Sequence, residues 1–401
     1  MDTVTHGIVG ALLGKGFFSD RHGRSAIVAA TVGAMFPDVD VVAEVISRDP
    51  LSIIKYHRSI THSFIAMPFF AAGLAWLTRW IARRRGIEVP SQGVLTLIYI
   101  VAIASHIVLD GFTSFGTRMW LPISQERVAW DLLFIIDFAF SSLVLLPQVV
   151  AWVYRDREKW WGRAIRMWAI FSLGALAVWQ LARSVGYPFR LEIVALASAI
   201  LAVVFFMPAR GNWGFGVSRS AWCRAGTYIT AGYIVLCGIS HHSAIQRVQK
   251  FAAENHIAVE RLAAIPLPPS LLNWGGLIRA NDGVYQSRLD LRSPDPPSFR
   301  FLADSPPDEF RARAMQLPEV RLYLSFARFP VIRTETDGSR HAVVFGEYRF
   351  VNPRRDRPQP FTFRVVFDSA GHVIEEGWQS NGLFLRRMRQ IPLRPREGEK
   401  N

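Results

Sequence analysis

Long apolar runs dominate the chain as far as about residue 240; beyond that point short apolar segments alternate with charges and many prolines. The first pattern predicts helices. Six apolar stretches, several of them near the roughly 20 residues that cross a hydrocarbon core, are Phe64 to Leu77, Val94 to Leu109, Leu132 to Val153, Ile165 to Leu181, Leu191 to Met207 and Ala225 to Ile239. Two earlier segments, Thr5 to Phe18 and Ala26 to Phe36, are shorter and rich in small residues, which suits buried helices or partial insertions. A backbone that leaves water has to satisfy its own hydrogen bonds, and a helix does so within one segment. After residue 240 the pattern predicts a short helix near Ala244 to Leu262 and a proline-rich connector at Ile265 to Ser270. Strands are expected at Val284 to Leu291, Ala342 to Val351, Phe361 to Asp368 and His372 to Trp378, where apolar residues alternate with period two. The expected fold is mainly α, a polytopic transmembrane helical bundle with a C-terminal soluble α+β domain. Residues 1–150 form a membrane-embedded region, 151–240 additional transmembrane helices, and 241–401 the α+β domain.

Composition sharpens this picture. Half of the residues are hydrophobic, with 13 Trp and 28 Phe, more than one soluble core requires. The net charge of +14 divides into 22 basic against 14 acidic residues before residue 241 and 24 against 18 after it; much of the N-terminal excess sits in short clusters beside apolar spans, so membrane lipids are the expected partner and nucleic acid is not. The clusters are Arg79 with Arg83, Arg84 and Arg85; Arg155, Arg157, Lys159, Arg163 and Arg166; and Arg210, Arg219 and Arg224. They follow every second span. The positive-inside rule then makes these loops cytoplasmic and places the C-terminal domain on the outer side of the membrane. Lys15, Arg21 and Arg24 fit a further cytoplasmic turn. The start, MDTVTHGIVG, lacks the basic opening of a secretory signal peptide and is expected to be retained. Two cysteines, Cys223 and Cys237, imply no disulfide framework. The run Arg386-Arg387-Met388-Arg389 reads as a solvated or lipid-headgroup patch.

Eight candidate ligands crowd the first 110 positions: Asp2, His6, Asp38, Asp40, His57, His62, His106 and Asp110. His106 and Asp110 lie four residues apart in a predicted span, hence on one helical face where one ion can use both. Asp2 and His6 repeat that spacing in reverse order. Asp38 and Asp40 flank a single residue after Pro37, and a loop there aims two carboxylates at one or two cations. His57 and His62, in HRSITH, complete a nitrogen-rich set. Taken singly, each has a plainer reading: a packing hydrogen bond for His106, an interfacial histidine for His57 or His62, a helix cap for the aspartates. Together they are costly beside hydrocarbon unless they share a compensating partner, so a divalent metal is expected. Mixed nitrogen and oxygen donors suit zinc, with manganese or iron as alternatives. His241 and His242 adjoin the last span and read as interfacial. Neither HExxH nor GxSxG occurs, and the run Gly10 to Gly16 lacks the spacing of a phosphate loop.

The motifs MDTVTHGIVG, FPDVDVV, HRSITHS, ASHIVLDGFTSFGT and WDLLFIID closely resemble the YdjM family of inner-membrane metal-dependent hydrolases over about residues 1 to 150. The resemblance implies functional weight for His6, Asp38, Asp40, His57, His62, His106 and Asp110, and adds Thr113, Ser114, Gly116 and Asp137. It makes Asp137 either a further ligand or a partner that fixes a ligating histidine. More distantly, the HxxxD element and the upstream aspartates are similar to the zinc-dependent phospholipase C and single-strand nuclease group. In that group the mature N-terminal amine and a tryptophan are ligands, whereas here Met1 precedes Asp2 and no tryptophan lies near the start.

The function expected on these grounds is hydrolysis of a phosphoester, of a lipid or lipid-linked small molecule, by metal-activated water, with Asp38 or Asp40 accepting the proton. Two rivals come from other classes. A non-catalytic scaffold would use a closed ligand set to hold a structural metal. A divalent-cation transporter would need acidic groups along the later spans, and residues 165 to 239 hold only Glu192.

Overall fold

The computed structural model describes residues 1–47, 49–184, 189–268, 270–350 and 359–379. In chain order the helices are α1 (Thr3–Leu13), α2 (Ser19–Met35), α3 (Val41–Ile46), α4 (Ser52–Tyr56), α5 (Met67–Arg85), α6 (Gln92–Gly111), α7 (Phe138–Val153), α8 (Trp160–Ser184), α9 (Leu191–Phe206), α10 (Trp213–Gly216) and α11 (Arg219–Glu254). Strands β1 (Arg261–Leu267), β2 (Asn273–Ala280), β3 (Gly283–Asp290) and β4 (Phe299–Ala303) follow, then α12 (Glu309–Ala314) and α13 (Pro318–Phe326). The chain continues with β5 (Pro330–Asp337), β6 (Arg340–Glu347), β7 (Thr362–Phe367) and β8 (Val373–Trp378). Two compact units result. One comprises Met1–Val39 and Arg58–Gly238, the other Asp40–His57 and Ile239–Asn401.

The first unit is helical. Small residues let its helices approach closely: a Cβ on Gly10 of α1 would strike the Ala30 carbonyl and lie 2.6 Å from the Ala34 Cβ of α2. Ala26, Ala29, Ala30 and Ala34 of α2 pack with Leu95, Tyr99 and Ile103 of α6 in one buried cluster. Among the described residues, Thr3–Ile46, Gln92–Gly111, Trp160–Ser184 and Leu191–Gly216 are long and apolar enough to cross a membrane; Ser52–His62 with Met67–Arg85 adds a fifth as one bent span. Helices α8 and α9 present Leu173, Ile193, Leu196 and Ile200 outward, each half or more exposed. In water that face would be strongly unfavourable, whereas hydrocarbon solvates it. The protein is a membrane protein.

Two expectations for this unit change. The span expected from Leu132 begins only at Phe138, because Asp137 caps α7 by accepting from the amides of Ala139 and Phe140. The backbone before it folds back, with the amides of Leu132 and Leu133 both bonded to the Phe112 carbonyl. The stretch Ala225 to Ile239 lies within α11, a 36-residue helix that is not among the candidate spans.

In the second unit, β1 to β4 and β5 to β8 form two four-stranded antiparallel meanders. The first is covered on both faces. Ala264, Trp274, Ile278 and Leu289 meet Ala244, Val248 and Ala252 of α11. Alternate residues Ala263, Ile265, Leu277 and Val284 meet Phe329, Val331 and Tyr348. Double coverage erases the alternation that marks a strand, which is why β1 and β2 escape a reading based on period. The helix expected as far as Leu262 stops at Glu254, and the first half of the expected proline connector, Ile265 to Leu267, is strand: Pro266 pairs with Trp274 on edge strand β1, where a missing N–H is tolerated. Strands β3, β6, β7 and β8 overlap the four predicted ranges, with β6 ending at Glu347, short of the expected end. Val351 and the Arg386 to Arg389 run lie outside the described residues. Cys223 and Cys237 are buried free thiols.

Candidate metal centre

Helix α6 carries His106 and Asp110 one turn apart, on the face buried against α2. A 3₁₀ turn at Phe36–Asp40 follows α2 and brings in Asp38; a second, Ile60–His62, brings in His62. The four side chains converge on one point, and all are buried. His106 Nε2 lies 3.0 Å from His62 Nε2, 3.4 Å from Asp38 Oδ1 and 3.6 Å from Asp110 Oδ2. His62 Nε2 lies 3.3 Å from Asp110 Oδ2 and 3.7 Å from Asp38 Oδ1. Ligands at about 2.0–2.1 Å around a tetrahedral ion stand about 3.3–3.4 Å from one another, so these edges bracket the ideal. A single N–H between the imidazoles would satisfy one contact and leave the rest too long for charge-assisted bonds, which run about 2.7–2.9 Å. The donor set therefore fits one tetrahedral cation.

The surroundings fix each donor. His106 donates Nδ1–H to the Ala34 carbonyl at 2.6 Å, which leaves Nε2 as the lone-pair atom. Thr3 Oγ1 donates to Asp38 Oδ2 at 2.6 Å, and Thr61 Oγ1 lies 3.1 Å from His62 Nδ1. Arg58, almost wholly buried, places Nε 2.8 Å from Asp110 Oδ2 and donates from Nη1 to the Asp110 carbonyl at 3.1 Å. The Met1 amine and His6 Nε2, the latter at 3.1 Å, both meet Asp110 Oδ1. The His6 ring stacks on His106 with centroids 3.6 Å apart.

The remaining candidates separate. Asp2 caps α1, accepting from the Thr5 amide at 2.9 Å and from Thr5 Oγ1 at 2.7 Å, and joins neither metal-capable group among the described residues. Asp40 and His57 join Glu44 in a second group. Thr113 links Arg58 Nη1, at 2.6 Å, to the Asp110 carbonyl, to which its hydroxyl donates at 2.9 Å. Ser114 is buried beside it, and Gly116 takes the left-handed backbone with φ 89°. Asp137 meets no histidine among its resolved bonds; it caps α7 and accepts from Tyr233 at 2.9 Å. His241 packs on Trp274, and His341 stacks on Phe310. Sequence reasoning missed Arg58 and Glu44. A basic residue between two candidate histidines, and a carboxylate four positions after Asp40, were the available signals.

Residues 1–186 match the model of the family described as YdjM inner membrane protein. The chain is also 30% identical over 152 residues to the Uncharacterized protein YfhP of Bacillus subtilis (strain 168), a match that takes in 35% of this chain and 44% of that protein. The chain thus spans less than half the length of that relative. No solved structure matches. The region that supplies all four donors of the buried quartet lies within the part of the chain, residues 1–186, that matches the YdjM inner membrane protein family.

Proposed function

We propose that the protein is a metal-dependent hydrolase of the inner membrane, acting on a phosphoester of a lipid or lipid-linked substrate at the Asp38, His62, His106 and Asp110 quartet. The observation that carries this reading is the convergence of two imidazoles and two carboxylates at tetrahedral spacing. Zinc suits that donor set best, with manganese or iron as alternatives. When bound, the ion supplies Lewis acidity toward a phosphoryl oxygen and a water of lowered pKa. The chain's own residues do the rest. Arg58 neutralises Asp110 and aims its Oδ2, and the Ala34 carbonyl selects the His106 tautomer. Asp38 faces a threonine hydroxyl where Asp110 faces a guanidinium, so Asp38 is the donor that would leave the ion to open a position for water and take the proton of that water. Siting within a membrane-spanning region suits a substrate whose acyl chains stay in lipid. We place the C-terminal domain outside the cytoplasm; reporter fusions after Arg85 and after residue 245 test this, with opposite sides expected and a shared side overturning it.

A second reading has a specific observation in its favour. Four buried protein donors form a closed set, which is the form of a structural site. Elemental analysis of detergent-purified protein, paired with phosphodiester and phospholipid hydrolysis assays, separates the two. Stoichiometric metal with turnover that falls in His106→Ala and Asp38→Ala supports the enzyme. Metal without turnover supports the scaffold, and no tightly bound metal sinks both.

A further inference from the structure

We infer that Asp40, Glu44 and His57 form a second divalent-cation site, open to solvent and independent of the buried quartet. This inference does not rest on the hydrolase reading. The three residues belong to one stretch of the second unit, residues 40–57. Asp40 ends the 3₁₀ turn that leads into α3, and Glu44 stands one helical turn later, so both carboxylates share a face. His57 caps the C-terminus of α4 with an extended backbone (φ −66°, ψ 132°), which turns its ring toward α3. The hairpin is anchored: α4 packs on α13, Leu51 and Ile54 are fully buried, and the Trp378 indole donates to the Pro50 carbonyl.

The spacing distinguishes a cation from a simple ion pair. His57 Nδ1 stands 3.3 Å from Asp40 Oδ1 and 3.2 Å from Glu44 Oε1. An imidazolium bonded to either carboxylate would sit at about 2.7–2.9 Å. Both distances instead match the roughly 3.3 Å edge of ligands sharing one ion. All three donor atoms fall within 4.8 Å of one another. Three protein donors leave coordination positions unfilled. The His57 and Glu44 side chains are 20% and 19% exposed, so water or a phosphate oxygen reaches those positions. Carboxylate-rich sets with one nitrogen suit manganese, iron or zinc.

The test uses the full chain in detergent, with zinc counted by elemental analysis and then titrated with manganese(II) while free ion is read by electron paramagnetic resonance. Wild type takes up one saturable manganese. Glu44→Gln, which keeps size and fold, and His57→Ala weaken that uptake by at least about tenfold, since losing even an outer partner costs that much. His106→Ala keeps it. No saturable uptake by wild type, unchanged uptake by Glu44→Gln and His57→Ala, or loss of uptake in His106→Ala overturns the assignment. Protein without zinc that still binds manganese through Glu44 would refute the quartet alone and leave this site standing.

Discussion

The two donor groups use the same chemistry under opposite solvent conditions. In the quartet His62, His106 and Asp110 are sealed and Asp38 nearly so, and their neighbours supply a carbonyl, a threonine hydroxyl, a guanidinium and a second imidazole. In the trio two of three side chains meet water. A sealed site has to be complete from within, because nothing else can satisfy its lone pairs; an open one leaves positions to solvent. On the readings proposed above, the sealed group would hold its ion tightly and the open one would exchange it.

The largest effect tests the sealed side. Arg58→Ala removes the cation beside a fully buried carboxylate and should cost about 3–5 kcal/mol, read as a fall in melting temperature in detergent. A loss no larger than that of Glu44→Gln would erase the contrast. Next is metal removal: a strong chelator should lower the melting temperature, by an amount equivalent to about 2.7 kcal/mol for an ion previously at a hundred times its Kd, and His106→Ala should abolish that response. A mild chelator should strip the trio's ion with the melting temperature unchanged. Gly10→Val should cost about 1–3 kcal/mol by forcing α1 off α2, and zinc content should fall with it because His6 and Thr3 on α1 brace the quartet. Glu44→Gln should change stability by under about 1 kcal/mol while losing the second ion. The smallest effect calibrates exposed charge. Hydrogen bonds from the Arg292 side chain and backbone hold Asp290 down to about 2. Its contribution is present above the ordinary carboxylate range and is lost as pH falls through about 2; because both side chains of the pair meet water, Asp290→Asn should lower the melting temperature only slightly at neutral pH.

Much of the quartet could be read from local spacing. His106 and Asp110 share a helical face by period alone, and Asp38 and His62 stood in short polar interruptions of apolar sequence, where a charge is costly without a reason. The division between quartet and trio could not be read, because Asp38 and Asp40 look equivalent until the chain assigns Val39 and Asp40 to different units. Asp2 was read as a ligand because a capping carboxylate and a ligating one have the same composition, and Asp137 entered only through the family resemblance, as a ligand or a partner of one; both accept from backbone amides at helix starts. Strands β3, β6, β7 and β8 were legible, whereas the short β4, with its exposed face, was not. β1 and β2, covered on both faces, were not, and neither was β5, whose Pro330 and run of polar residues hide its pairing with β6.

Arg58 sits at φ 55°, a left-handed backbone that costs a side-chain-bearing residue about 1–2 kcal/mol relative to glycine. Local conformation and local charge therefore make conflicting demands at this position. Glycine would relax the chain and lose the guanidinium; alanine would lose the guanidinium and keep the strain. The difference between Arg58→Gly and Arg58→Ala measures how much conformational ease this protein gives up to keep a positive charge inside a membrane region.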